Sequence, residues 1–290
     1  MSQSSQGLAS QRPICGFIGL GSQGAPMARR MIDAGLDTTL WARRPETLEP
    51  YRDTNARFAA SIAELGAGVD HVGLCVLTDD DVRQVCDQLI PAVRPGCIVA
   101  IHSTVHPDTC RAVETQAAAR GVRVIDAPVS GGEPGAKAGT LAVMAGGAPA
   151  DLAVARPVFE TFARLIVHLG PVGAGQHAKL INNALLAANL GLAHAALEAG
   201  AALGVNQAAL VELLLASSGR SQAVEIRGRM PSPASFTVGG SLLAKDLRIL
   251  GAVLGGGDPA FSRLSAAATP FLDLVLAGAR AAGPRAEPSA

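Results

Sequence analysis

Between residues 14 and 170, short continuously apolar runs alternate with segments of helical periodicity, and no other feature constrains the fold as tightly. The runs Ile14–Ile18, Thr38–Ala42, Val69–Leu77, Cys97–Ile101 and Val122–Ala127 predict strands, and the spacing predicts helices over Ser22–Ala34, Asp80–Val93 and Pro107–Ala119. A strand without polar alternation is buried on both faces, and helical crossovers supply both covers. The pattern therefore predicts a parallel sheet between layers of helix. Two last strands are expected at Leu141–Ala145 and Leu165–Leu169, around a helix over Pro149–Phe162. Strands then stop. From Gln176 the pattern is helical, with breaks near Gly204, Ser217–Gly219, Pro231–Pro233 and Gly255–Pro259. The Gly-Pro-Val-Gly stretch at 170–173 marks the expected domain boundary.

The first strand runs into Gly19-Leu20-Gly21-Ser22-Gln23-Gly24, a GxGxxG sequence placed after a strand and at the opening of a helix. In that context Gly19 permits the tight turn, Gly21 lets a pyrophosphate approach the backbone, and Gly24 allows helix to pack closely on strand. The helix N-terminus offers unpaired N–H groups to the phosphates. An NAD site places an acid at the end of the second strand, on the ribose 2′-hydroxyl. Here Leu40-Trp41-Ala42-Arg43-Arg44-Pro45 has no acid before Glu46, and two arginines stand where a 2′-phosphate would lie. NADP is therefore the expected cofactor, with NAD possible; an ordinary solvated arginine pair is the competing reading.

Lysine and arginine together number 24 and balance 24 acids, so the formal net charge is zero and no basic face marks a nucleic-acid binder. Aromatics at 3% also argue against base-stacking surfaces. The five cysteines, Cys15, Cys75, Cys86, Cys97 and Cys110, form no CxxC pair and no metal-ligand spacing. An odd, unpatterned set suits a reducing cytoplasm. Residues 1–13 are polar, lack an apolar signal core, and are expected to form a disordered lead. Residues 184–205 are apolar over nearly the length of a membrane span, but Asn189, His194 and Glu198 interrupt them. A buried helix is expected there, not a membrane crossing. Its small, apolar residues also suggest burial in a symmetric subunit interface, in a homodimer or homotetramer.

Only Lys137, Lys179 and Lys245 are lysine. A lysine kept in an arginine-rich chain is a candidate for proton transfer, because a desolvated lysine can lose its proton and an arginine cannot. Lys179 and Asn183 are four residues apart on a predicted helix and share one face. Asp126-Ala127-Pro128-Val129-Ser130-Gly131-Gly132 follows a strand; Ser130 offers a hydroxyl, and Gly131 and Gly132 offer backbone N–H groups, as a carboxylate cradle or a plain glycine turn.

Four blocks carry a family resemblance in order and spacing: GFIGLGSQGAPMA (16–28), DAPVSGG (126–132), GAGQHAKLINN (173–183) and LAKDL (243–247). Over about residues 14–275 the chain resembles the β-hydroxyacid dehydrogenase family, which spans 3-hydroxyisobutyrate dehydrogenases and the tartronate, glyoxylate and succinic semialdehyde reductases. The resemblance implies an α/β Rossmann domain over 14–172, followed by an all-α domain over 173–290 joined to it by a long interdomain helix. It implies that Lys179 is the catalytic lysine and that Asn183 contacts substrate. Ser130, Gly131 and Gly132 would bind the substrate carboxylate. Leu77, Thr78 and Thr104 would contact the cofactor, with Lys245 reaching its nicotinamide end. The implied reaction moves a hydride between nicotinamide and a small 3-hydroxy acid or semialdehyde, with Lys179 as general acid or base. Gln222 departs from the pattern, standing where relatives often carry tryptophan. Two other readings compete. An imine reductase of the same fold would usually carry aspartate or tyrosine in place of Lys179. A non-catalytic NADP-binding interaction module would have lost that lysine.

Overall fold

The computed structural model describes residues 12–281, with side chains to residue 278. It divides into two units, one over residues 12–103 and 107–175, the other over 104–106 and 176 onward. The expected disordered lead lies outside the described residues except for Arg12 and Pro13. The Arg12 guanidinium donates to the carbonyls of Ala34 and Gly35 at 3.2 and 3.3 Å.

In the first unit the strands are β1 (Cys15–Ile18), β2 (Thr38–Trp41), β3 (Arg57–Phe58), β4 (His71–Leu74), β5 (Ile98–Ile101), β6 (Arg123–Asp126), β7 (Val129–Ser130), β8 (Leu141–Gly146) and β9 (Ala163–Gly170). They form one sheet in the order β3-β2-β1-β4-β5-β6-β8-β7, with β9 paired to β8. The helices are α1 (Gly24–Asp33), α2 (Ile62–Gly66), α3 (Asp79–Leu89), α4 (Pro107–Ala118), α5 (Gly132–Ala138) and α6 (Pro149–Phe159). Every residue of β1, β4 and β5 is buried, which is why these strands read as apolar runs, interrupted only by His71 at the start of β4. The expected all-parallel sheet is corrected at one point: β8 runs antiparallel to β6 and β7. Between β6 and β8 lie only the two-residue β7 and the seven-residue α5, so the chain doubles back instead of crossing over. Helix α3 stops at Leu89, two residues before Pro91, whose ring nitrogen has no N–H to continue the helical ladder.

The core joins strand residues Phe17, Leu40, Ile98 and Val143 to Met27 and Met31 of α1 and to Phe159 and Phe162 at the end of α6. Two histidines sit in it. His102 stacks on Phe17 at a centroid distance of 6.2 Å, and its Nδ1 donates to the Ala127 carbonyl at 2.8 Å. His71 meets Phe159 edge-on at 5.7 Å, and neither of its ring nitrogens has a hydrogen-bond partner among the described residues. Burial pushes the two imidazoles down from 6.5, His71 to about 3 and His102 to about 4, so both are neutral in the fold. Of the free cysteines, Cys15, Cys86, Cys97 and Cys110 are buried and Cys75 is partly so. Burial pushes the thiols of Cys15, Cys75, Cys86 and Cys97 up to about 12.

The second unit is helical: α7 (Ala174–Ala202), α8 (Gln207–Ala216), α9 (Gln222–Arg229), α10 (Thr237–Leu254) and α11 (Pro259–Ala281). Asn206 and Ser221 cap α8 and α9, each side chain accepting a backbone N–H of the first turn. The apolar segment read over 184–205 belongs to a helix that starts ten residues earlier and ends at Ala202, where Gly204 takes a left-handed φ of +71°. One face of α7 (Leu180, Ala184, Ala187, Leu190) packs with Leu243, Leu247 and Leu250 of α10 and Phe271 and Val275 of α11. The opposite face carries Ile181, Leu185 and Leu192, all exposed, so burial within the chain covers only half of this helix. By length and composition alone α7 and the first 20 residues of α11 could each cross a membrane, but α7 has Lys179 and Asn183 on the side packed against α10.

Candidate active site

The chain leaves β1 at Ile18 and turns at Gly19, whose φ is +93°. A Cβ on Gly19 would lie 2.2 Å from the Cys75 carbonyl oxygen, and one on Gly24 would lie 1.9 Å from the Gly19 carbonyl oxygen. Both positions are thus closed to any side chain by backbone. Gly21 differs, since nothing stands within 4 Å of the Cβ it lacks. Its backbone is open to an incoming group. Gln23, which precedes α1, makes no side-chain cap, and no side chain among the described residues stands over the first turn, where the Ala25 N–H donates to the Gly21 carbonyl at 2.9 Å. Ser22 is exposed beside it, and Leu20 is buried beneath. An open glycine backbone at an uncapped helix start is what a dinucleotide pyrophosphate requires, and these residues fit NAD(P).

A groove beside this loop is lined by Gly19, Leu20, Trp41, Arg43, Val76 and Asp81. Arg43 leaves the end of β2 with a side chain 65% exposed, and its Nη2 pairs with Asp81 Oδ1 at 3.0 Å. Arg44 Nε lies 3.7 Å from Glu46. Leu77 is exposed at the turn after β4. Thr78 is engaged in capping α3: its hydroxyl accepts from Asp81 N at 3.1 Å and donates to Asp81 Oδ2 at 2.7 Å. Loop, groove, Leu77 and Thr78 all sit at the C-terminal edge of the sheet, where open α/β sheets bind ligands.

Ser130 ends β7, and Gly131 and Gly132 follow with φ of +132° and +62° as the chain enters α5. The left-handed pair turns the backbone between strand and helix within two residues, a conformation that glycine adopts without strain. Asp126, fully buried at the end of β6, accepts from the Gly173 N–H at 2.7 Å and fixes the turn before α7. Lys137 pairs with Glu133 one turn away on α5, a surface contact only.

In the second unit Lys179 and Asn183 lie one turn apart on α7 and are each 8% exposed. Asn183 Nδ2 donates to Asp246 Oδ2 of α10 at 2.6 Å. The other oxygen of this buried carboxylate, Oδ1, has no hydrogen-bond partner among the described residues and lies 3.4 Å from Lys245 Nζ. Lys245 also donates to the Thr104 carbonyl at 2.6 Å, so two residues expected on the cofactor meet here. Gln176, on the same helix as Lys179, accepts from Val105 N at 3.1 Å and holds that three-residue stretch. Burial pushes the Lys179 ammonium down to about 8; Asp246 opposes the shift and Lys245 adds to it. Near neutrality such an amine can give or take a proton. Asp81 and Asp246 are the two site groups that sequence reasoning assigned no role. Asp246 adjoins Lys245 in the LAKDL block, and a carboxylate next to a lysine on a predicted helix was the available signal. Asp81 carried none, being one of three consecutive acids. Gln222 is exposed at the start of α9, and Ser217–Arg220 form the exposed turn after α8.

Residues 14–170 match the protein family described as the NAD binding domain of 6-phosphogluconate dehydrogenase. Residues 173–282 match the one described as NAD-binding of NADP-dependent 3-hydroxyisobutyrate dehydrogenase. An NAD-dependent L-serine dehydrogenase of Pseudomonas aeruginosa is 35% identical over 268 residues, covering 90% of this chain and 89% of the relative. A 3-hydroxyisobutyrate dehydrogenase of the same organism is 36% identical, covering 80% and 82%. Among solved structures, the Mycobacterium tuberculosis 3-hydroxyisobutyrate dehydrogenase with L-serine superposes with a TM-score of 0.81 at 30% identity, over 92% of this chain and 94% of that one.

Proposed function

The chain belongs to the β-hydroxyacid dehydrogenase family and is an NAD(P)-dependent oxidoreductase acting on a CH–OH group; from that premise we propose that it interconverts a small 3-hydroxy acid and its carbonyl form, prefers NADP, and uses Lys179 as the proton-transfer group. The observation that carries the reading is the Lys179 amine, buried on α7 and pushed down to about 8. Nicotinamide, when bound, supplies or accepts the hydride at the carbinol carbon. Lys179 donates the proton to the carbonyl oxygen during reduction and removes it from the alcohol during oxidation. Asn183, anchored on Asp246, keeps its amide oriented toward the substrate oxygen. Ser130 with the N–H groups of Gly131 and Gly132 holds the substrate carboxylate. Gly19 to Gly24 cradle the pyrophosphate; Leu77, Thr78 and Thr104 border the cofactor, and Lys245 steadies its nicotinamide end.

The preference for NADP rests on Arg43 and Arg44 and on the lack of an acid at the end of β2. Names among the relatives point both ways: the C-terminal family description says NADP-dependent, and the serine dehydrogenase is called NAD-dependent. The same relatives act on, or bind, a branched 3-hydroxy acid and L-serine, which share a carboxylate and a 3-hydroxyl. Substrates of that class are proposed here, in a homodimer or homotetramer built through the exposed apolar face of α7. Buried free thiols suit a cytoplasmic location. The test is a spectrophotometric screen of short hydroxy acids, semialdehydes and glyoxylate with both cofactors. The expected result is turnover of a 3-hydroxy acid or semialdehyde with a higher kcat/KM for NADPH; turnover with a preference for NADH would overturn the cofactor assignment, and no turnover would overturn the substrate class.

A further inference from the structure

We propose that Asp81 is a specificity-determining residue: it holds Arg43 in an ion pair that an incoming 2′-phosphate must break, and so weakens discrimination between NADP and NAD. The inference rests on reading Arg43 as the 2′-phosphate contact. Three acids fill the first turn of α3, and two are occupied away from the groove. Asp79 accepts from Thr109 Oγ1 at 2.6 Å, and Asp80 pairs with Arg83 at 3.0 Å. Asp81 lines the groove, across from Trp41 and Arg43. Its carboxylate is fixed before any ligand arrives, because Oδ2 accepts from both the N–H and the hydroxyl of Thr78, at 3.1 and 2.7 Å. The side chain is only 20% exposed, while Arg43 is 65% exposed and has no other ion pair among the described residues. The mobile partner is thus tethered to an immobile one.

The charges decide the direction. Arg44 has Glu46 beside it at 3.7 Å as Arg43 has Asp81 at 3.0 Å, so the two cations at the end of β2 are offset by two anions. A 2′-phosphate brings close to two negative charges and gains fully from Arg43 only if the guanidinium leaves Asp81, whose fixed carboxylate then also repels the phosphate across the groove. A 2′-hydroxyl brings no charge and suffers neither penalty. Both effects act on the phosphate form alone, far from the reacting carbon. Removing the Asp81 charge should therefore change the affinity ratio of the two cofactors.

The test uses the whole chain and two nucleotide probes, adenosine 2′,5′-bisphosphate and 5′-AMP, with affinity read by calorimetry. Asp81→Asn keeps an oxygen to accept from Thr78, and Asp81→Ser is a second neutral variant if the first melts early. Either should bind the bisphosphate about two- to fivefold more tightly, the range an exposed ion pair can supply, with 5′-AMP unchanged. The gain should shrink at high salt. In an Arg43→Ala background Asp81→Asn should yield at most a small part of that gain. Unchanged or weaker bisphosphate binding in both neutral variants overturns the proposal, and so does a full gain without Arg43. The underlying reading fails separately: if Arg43→Ala alters neither probe in the wild-type background, Arg43 is no phosphate contact. If Arg43→Ala weakens the bisphosphate while Asp81→Asn does nothing, that reading stands and the role of Asp81 falls.

Discussion

Lys179 carries two properties that pull apart, a positive charge and a removable proton, and substitution separates them. Arginine keeps the charge but cannot serve as a base near neutrality. Lys179→Arg and Lys179→Ala should therefore both lose about a hundredfold or more in kcat, at matched melting temperatures, with NADPH affinity little changed. An arginine variant with near-normal kcat would make Lys179 an electrostatic anchor. The pH profile gives an independent reading. With the amine titrating at about 8, alcohol oxidation should rise with pH through that value as the base form appears, and carbonyl reduction should fall through it. Asp246 raises the Lys179 pKa, so Asp246→Asn should move the inflection of both profiles to lower pH. A profile that stays in place in this variant would remove Asp246 from the electrostatics of the amine.

At the scale of elements, the β1–α1 junction divides its glycines into two kinds. Gly24 is closed by the Gly19 carbonyl oxygen, so Gly24→Ala must push strand and helix apart. A loss of more than about 2 kcal/mol is expected from denaturant melts, as for other overpacked sites. Gly21 has empty space over it and no left-handed φ, so Gly21→Ala should melt within about 0.5 kcal/mol of the wild type. It should nonetheless weaken NADPH binding by about tenfold or more, because the methyl group occupies the path of the pyrophosphate. Equal cofactor affinity in Gly21→Ala would place the pyrophosphate elsewhere. This junction was legible in the sequence because three glycines at fixed offsets each answer a steric demand. The central parallel strands were legible because burial on both faces leaves them almost wholly apolar. The stretch from Val129 to Ala138 was not. Its strand is two residues long and its helix seven, too short for either periodicity to register, and the reversal of β8 that follows from them went unread. At the site, Lys179, Asn183 and Lys245 stood out through spacing and scarcity of lysine, whereas the contacts of Asp81 and Asp246 with Arg43 and Asn183 reach 38 and 63 residues along the chain and leave no spacing to read.

For the molecule as a whole, the buried histidines set a limit on the acid side. Unfolded histidine takes up a proton below about 6.5, while His71 and His102 stay neutral in the fold until about 3 and 4. The unfolded state thus binds more protons in that window, and stability is lost as pH falls from 6.5 toward 4, by up to about 1.4 kcal/mol per pH unit for each histidine. His71→Leu should flatten the fall and also stabilise the protein at pH 7, because it removes two unpaired ring nitrogens from the core. Thermal melts between pH 4.5 and 7.5 check both; a variant as acid-sensitive as the wild type would exonerate His71. The exposed face of α7 should be covered in a dimer or tetramer, and light scattering at micromolar concentration reports it, a monomer being the contrary result. The cysteines have a practical corollary. Four are sealed in the core and the fifth is held in its thiol form, so none should compete for maleimide at neutral pH. A single cysteine introduced at Leu203, 80% exposed beyond the end of α7, would then take a fluorophore or spin label selectively. The second unit could be followed in solution without first stripping the chain of its native thiols.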